Sequence, residues 1–274
     1  MNNEHFWTEK RKQIKNAAQH IELINNKNRA EIVKGIARTE AYTGSVPVTY
    51  PESIHIPAIF VDSYDSVTSM FEHQEQGEKM AVLNFANYKT PGGTYLTKGT
   101  RAQEESLMYS SGTLYSVLKQ FDDSFYAYNR QNMNRGLFRN RGLYTPDMIF
   151  YDRETLVDQD ITDANTVKAD VITVSAPNAS TALRYGKVSP LENESALDSR
   201  IRFLLDIAES NQVKILILGA FGSGVFGQDA AVVAKIFKKY LTSGNYSFDK
   251  VYFSVPDIED GMNYKKMKQV FENC

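Results

Sequence analysis

Two adjacent carboxylates, Glu104 and Glu105, follow a glycine-bearing loop. The loop reads Asn84-Phe85-Ala86-Asn87-Tyr88-Lys89-Thr90-Pro91-Gly92-Gly93-Thr94, and Gln103-Glu104-Glu105 comes after a gap of eight residues. Paired carboxylates can give and take protons near neutral pH when their surroundings set their acidities apart. Successive residues of a helix point about 100° apart, so these two are not expected to face each other as the opposed acid and base of an ordinary glycosidase. One can serve as an acid while the other positions substrate. Acidic residues also favour a first helical turn for the sake of the helix dipole alone. Gly92 and Gly93 permit backbone conformations closed to other residues and allow a ligand to come close.

A second loop, Gly219-Ala220-Phe221-Gly222-Ser223-Gly224-Val225-Phe226-Gly227, contains a formal G-x-G-x-x-G match at Gly222, Gly224 and Gly227. Only 47 residues follow Gly227 in a chain of 274, too few for the rest of a dinucleotide-binding sheet. The acid expected at a strand end about 20 residues on is missing too. A cradle of backbone N–H groups for phosphate fits the loop without that fold. No G-x-x-x-x-G-K-[ST] segment is present, and Phe221 stands where a nucleophile elbow at Ser223 needs glycine. His5, His20, His55 and His73 are scattered without paired metal-ligand spacing, so no metal site is argued. The lone cysteine, Cys274, is the last residue, which leaves no disulfide within the chain and makes thiol chemistry a poor expectation.

The elements that must position these loops read as α/β. Ile14, Ala17, Ala18, Ile21 and Ile24 recur at helical spacing, and Ile32, Val33, Ile36 and Ala37 resume it up to Thr43-Gly44-Ser45. Strands are expected at Ile54–Val61, Met80–Ala86, Met148–Tyr151, Asp170–Ala176, Lys214–Leu218 and Val251–Val255. Helices are expected at Ser63–Gln76, from Gln103 through a stripe at Leu107, Leu114, Tyr115 and Leu118, and at Leu197–Ala208. Two more are expected around Ala230–Leu241 and Tyr264–Phe271. Strands alternating with helices imply a mostly parallel sheet. We read residues 1–46 as a helical extension packed on a core domain of residues 47–274. The 42% hydrophobic and 23% charged composition is that of a globular protein, and a net charge of −2 gives no overall field for gripping nucleic acid. The polar stretch Met1–Lys15 and the shortness of every apolar run lead us to expect a soluble cytoplasmic protein with no membrane partner. Phe121–Asp158, rich in Tyr, Asn and Arg, is the least legible stretch; Arg130, Arg135, Arg139 and Arg141 form a local basic cluster there.

Pro91-Gly92-Gly93 followed by Gln103-Glu104-Glu105 resembles the signature of the microbial-type poly(ADP-ribose) glycohydrolases, macrodomain proteins with a Gly-Gly-Gly run before Gln-Glu-Glu. The resemblance extends through Val82–Asn87, Ser106-Leu107 and Leu218–Gly227. It implies a three-layer α/β/α macrodomain with a mixed, mostly parallel sheet, and a hydrolase that uses ADP-ribose or poly(ADP-ribose) as ligand without a metal or other cofactor. By the same resemblance Glu105 is the general acid, with a raised pKa, and Glu104 holds ribose hydroxyls while Gln103 supports the loop. Asn87 then meets the distal ribose, Gly92, Gly93 and the Gly222–Gly227 segment (with Ser223, Gly224 and Val225) wrap the diphosphate, and Phe226 presses on the ribose. Thr94 departs from the third glycine, where its β-carbon is expected to crowd the diphosphate without touching the glutamates. Two other readings stay open: an ADP-ribose reader with little or no catalysis, and a hydrolase removing single ADP-ribose units from protein or nucleic acid.

Overall fold

The computed structural model describes residues 3–100, 102–152, 165–257 and 261–272; Cys274 and residues 153–158 of the illegible stretch lie outside these. Two helices come first, α1 (Asn3–Lys27) and α2 (Arg29–Arg38), followed by β1 (Glu40–Thr43), β2 (Ala58–Asp62) and α3 (Ser66–His73). The middle of the chain supplies β3 (Met80–Phe85), α4 (Gln103–Ser110), α5 (Leu114–Lys119), α6 (Ala127–Gln131), β4 (Arg141–Tyr151) and β5 (Thr166–Val174). The rest gives α7 (Ala179–Tyr185), α8 (Pro190–Ser210), β6 (Ile215–Leu218), α9 (Ala230–Leu241), β7 (Lys250–Ser254) and α10 (Met262–Glu272).

The strands form one sheet in the order β1-β4-β5-β3-β6-β7-β2. From β5 to β2 every pairing is parallel, and β4 and β1 extend the sheet in antiparallel fashion. Side chains alternate between the faces of a strand, and both faces here are apolar. Ala81 and Leu83 of β3 and Leu216 and Leu218 of β6 join Leu204, Phe237 and Met267 on the side of α8, α9 and α10. Val82, Ile215 and Ile217 join Ala17, Met70, Leu107 and Val117 on the side of α1, α3, α4 and α5. The alternating pattern predicts the mostly parallel sheet, and helices on both of its faces give the three-layer α/β arrangement that the resemblance implies.

The structure departs from the sequence reading at several elements. The helix expected from Gln103 breaks at Ser111–Thr113: Ser111 bridges to Phe150, and a β-carbon on Gly112 would lie 2.6 Å from the Tyr151 ring and 2.7 Å from Asn28 Nδ2. A tertiary contact overrides an unbroken apolar stripe there. The strand expected from Ile54 begins only at Ala58, and Ile54 is 82% exposed. β4 runs to eleven residues through Pro146, with its register shifting between Thr145 and Met148. β1 and α7 gave no periodic signal, being four and seven residues long.

The helical extension is tied down by polar contacts. Asn28 Nδ2 donates to Gly112 O (3.0 Å) and the Tyr151 hydroxyl (2.9 Å), and His20 Nδ1 meets the Tyr95 hydroxyl at 2.9 Å. Burial pulls His20 down from the ordinary 6.5 to about 4, and its Nε2 is buried with no partner among the described residues. Between these two values the unfolded chain binds the proton and the folded one does not, so this contribution is intact above pH 6.5 and is lost as pH falls toward 4. The loss reaches at most about 3 kcal/mol. Thermal unfolding at pH 7.5 and pH 5 is expected to show a larger acid-induced drop in midpoint for wild type than for His20→Gln. Equal drops would contradict this account.

Candidate active site

β5, β3 and β6 are neighbours and parallel, so the loops after Val174, Phe85 and Leu218 leave one carboxyl edge of the sheet, where open α/β sheets bind ligands. Both glycine loops are therefore side by side. Gly219 passes so near β7 that a β-carbon would lie 2.8 Å from Ser254 O, and the Phe85 and Phe221 rings meet edge to face at 5.7 Å.

Gln103 locks the start of α4 to β3. Its Nε2 donates to Leu83 O (2.7 Å) and Ser66 Oγ (3.0 Å), and its Oε1 accepts from Phe85 N (2.8 Å). The side chain thus replaces main-chain partners at a strand end. Glu104 and Glu105, which follow, are 4% and 5% exposed. Glu104 Oε2 accepts from Asn87 N (2.7 Å) and its Oε1 from Asn84 Nδ2 (3.3 Å). Glu105 Oε1 accepts from both Thr94 N and Thr94 Oγ1, each at 2.8 Å.

Two expectations change here. The carboxylates do converge: a β-carbon on Gly93 would lie 2.7 Å from Glu105 Oε1 and 2.9 Å from Glu104 Oε2. Side chains of a first helical turn can bend back over the preceding loop, which the 100° rule for a helix interior ignores. Thr94 does touch a glutamate, because its hydroxyl meets both Glu105 Oε1 and Thr100 Oγ1 at 2.8 Å. The pronounced acidity shift falls on Glu104, whose carboxyl burial raises to about 8 against the opposing hydrogen bond from Asn87 N, with the Glu105 charge adding to the rise. At neutral pH Glu104 is mostly a neutral acid with an O–H to donate.

The remaining site residues are placed as follows. Asn87 Oδ1 is taken up by Lys89 N (2.9 Å), Thr90 N (3.2 Å) and Thr90 Oγ1 (3.1 Å), which shapes the turn into Pro91. Gly92 has φ +66 and lies against Tyr115, 2.8 Å from where its β-carbon would be. In the second loop Ser223 N, Gly227 N and Gln228 N donate within the loop to Ala220 O, Gly224 O and Gly222 O. The N–H groups of Gly224, Val225 and Phe226 find no acceptor among the described residues. Three successive N–H groups without an acceptor can offer donors to an anion. Val225 is 86% exposed, Phe226 meets Phe138 edge to face at 5.9 Å, and Ser223 Oγ is buried without a partner among the described residues. The N-terminus of α9 is not free: Asp229 caps it through Ala231 N (2.8 Å), so a phosphate here must use the loop.

Asn84 and Thr100 were missed as site residues. Asn84 had a signal, an amide inside an otherwise apolar strand; Thr100 had none. Among the described residues no three His, Cys, Asp or Glu side chains gather as they would to hold a metal ion, and no helix is long and apolar enough to cross a membrane.

Comparison with known proteins puts this arrangement among the glycoside hydrolases. The model of the microbial-type PARG catalytic domain matches residues 7–153, more than half of the chain, and the chain belongs to that family of ADP-ribose glycohydrolases. Among solved structures, poly(ADP-ribose) glycohydrolase from Thermomonospora curvata shares the fold at 23% identity and a TM-score of 0.80, over 95% of this chain and 100% of that one. The same organism's enzyme bound to the inhibitor ADP-HPD gives 24% identity and 0.79, over 94% and 99%. Poly(ADP-ribose) glycohydrolase from Deinococcus radiodurans in complex with ADP-ribose gives 26% identity and a TM-score of 0.76, over 88% and 97%. No curated protein matches the chain.

Proposed function

We propose that this chain hydrolyses the ribose glycosidic bond of poly(ADP-ribose), with Glu105 as general acid and then general base. The observation that carries the reading is the convergence of two buried carboxylates on Gly93, beside a loop with three unused N–H donors. The donors at Gly224, Val225 and Phe226 suit the diphosphate, and the ADP-ribose complex of the Deinococcus radiodurans relative supports that ligand. Glu104, neutral and able both to donate and to accept, suits ribose hydroxyls. Residues 47–274 form the catalytic unit, with residues 1–46 packed on it.

Glu105 gives its proton to the oxygen leaving the anomeric carbon, and the electron pair of the breaking C–O bond goes to that oxygen. The ribose gains oxocarbenium character, water adds to the anomeric carbon, and the water's proton goes to Glu105. Thr94 donates twice to Oε1, which leaves Oε2 for this exchange. Incubating the protein with labelled poly(ADP-ribose) is expected to release free ADP-ribose. Binding of ADP-ribose with no release from polymer or from singly modified acceptors would make the chain a reader instead.

Thr94→Val keeps the backbone donor and the side-chain shape and removes the hydroxyl. A hydrogen bond to a charged group contributes about 1.5–3 kcal/mol, so kcat is expected to fall by about tenfold or more with KM little changed. Thr94→Ser is expected to restore it. Steady-state kinetics on the polymer checks both, and a Thr94→Val enzyme with wild-type kcat would remove the hydroxyl from the mechanism.

A further inference from the structure

The four arginines that cluster in the sequence do not cluster in space as one group. Arg130 pairs with Asp122 (2.7 Å) and Arg135 with Glu192 (2.9 Å). Arg141 has no carboxylate: it donates to Asn129 Oδ1 and Thr43 Oγ1, each at 2.9 Å, and its guanidinium lies over the Tyr128 and Phe125 rings at 4.2 and 4.7 Å. A further arginine joins it. Arg200 of α8 is 2% exposed and donates only to neutral oxygens, Asn140 Oδ1 (2.8 Å), Leu137 O (3.3 Å) and Ser175 O. Burial draws both guanidiniums below their ordinary range, Arg200 to about 10, with Tyr88 opposing the fall at both and Tyr128 at Arg141. Both therefore remain charged at neutral pH, and no carboxylate among the described residues answers them.

Arg200 lines a groove together with Thr43, Gly44, Tyr128, Phe138 and Arg139, and Arg141 lies behind it against Thr43 and Tyr128. Arg139 stands exposed at its rim. A buried charge is costly unless an opposite charge comes to it, and hydrogen bonds to neutral oxygens satisfy its geometry without neutralising it. Guanidinium groups match phosphate oxygens well. Phe138 is a wall common to this groove and to the active site. It stacks on Tyr88 of the first loop at 4.2 Å and meets Phe226 of the second. Its φ of +60 lies in the left-handed region that phenylalanine rarely adopts, so the surrounding packing holds it there.

We propose that this groove is a second anion site, which takes the diphosphate of the ADP-ribose unit adjoining the one being cleaved. The source of the diphosphate rests on the function proposed above; the site itself rests on the unanswered arginines. The test is calorimetric titration of inorganic pyrophosphate into the full chain already saturated with ADP-ribose. Pyrophosphate is expected still to bind, more weakly as salt rises. Arg139→Gln, and separately Ser199→Glu at a residue that also lines the groove and is exposed, are each expected to weaken it by about fivefold. If ADP-ribose abolishes pyrophosphate binding, or both variants bind as wild type does, the second site is overturned. Arg139→Gln is further expected to raise KM for the polymer and not for a singly ADP-ribosylated peptide. Unchanged KM on both would overturn the adjoining unit as the source in favour of free diphosphate. Failure of ADP-ribose itself to bind would overturn the functional reading instead, and pyrophosphate can then be titrated into the unsaturated chain.

Discussion

Glu105→Gln is expected to lower the rate of polymer cleavage by about 10²–10⁴-fold while ADP-ribose binds nearly as it does to wild type. Glutamine keeps the length of the side chain, and its Oε1 can still accept from Thr94 N and Thr94 Oγ1, so the loop has no reason to move. What it lacks is a proton that can pass to the departing oxygen. The effect belongs in kcat, read by single-turnover release of ADP-ribose, with binding measured separately by calorimetry. A Glu105→Gln enzyme that cleaves at the wild-type rate would transfer the acid role elsewhere. Glu104 is the first alternative, since its carboxyl holds a proton up to a pH of about 8.

Gly93→Ala is the second large effect. The φ of Gly93 is +56, a conformation that costs an alanine about 1–2 kcal/mol. The added carbon would also fall 2.7 Å from Glu105 Oε1 and 2.9 Å from Glu104 Oε2. Neither carboxylate can retreat freely, because Thr94 holds one and Asn87 N the other. The loop or an acid must shift, and a misplacement of about 1 Å can cost roughly 10²-fold in rate. We therefore expect kcat/KM to fall by about 10²-fold or more, together with a lower unfolding midpoint. Gly77→Ala separates the two causes. Gly77 has φ +87 with nothing within 4 Å of its would-be β-carbon, so it incurs the conformational cost without the collision. Comparable activity in Gly93→Ala and wild type would mean that the carboxylates do not need their present places.

The parts of this molecule that were legible in its sequence are those whose residue types have few other uses. Adjacent glycines before a Gln-Glu-Glu run, and four glycines within nine residues at Gly219–Gly227, announced two loops at strand ends, and they are neighbours in the structure. The runs at β3, β6 and β7 were legible because a strand buried on both faces is mostly apolar. Legibility failed wherever a distant contact decides the local outcome. Gly112 breaks a helix because Tyr151 and Asn28 occupy the space beside it. Arg130 and Arg135 leave their cluster because Asp122 and Glu192 claim them, and Arg200, about sixty positions on from Arg141, takes their place. Thr94 reads as an obstacle in a glycine run and proves to be the partner of an acid.

The two hydrogen bonds from Thr94 to one oxygen of Glu105 bear on the shape of the product as well as on its rate. With Oε1 held by two donors, the mechanism proposed above sends both the leaving and the returning proton through Oε2. A single fixed oxygen serves one side of the sugar ring only. On the mechanism proposed above, the departing group and the arriving water pass on that same side, and ADP-ribose sampled before it mutarotates is expected to keep the anomeric configuration it had in the bond.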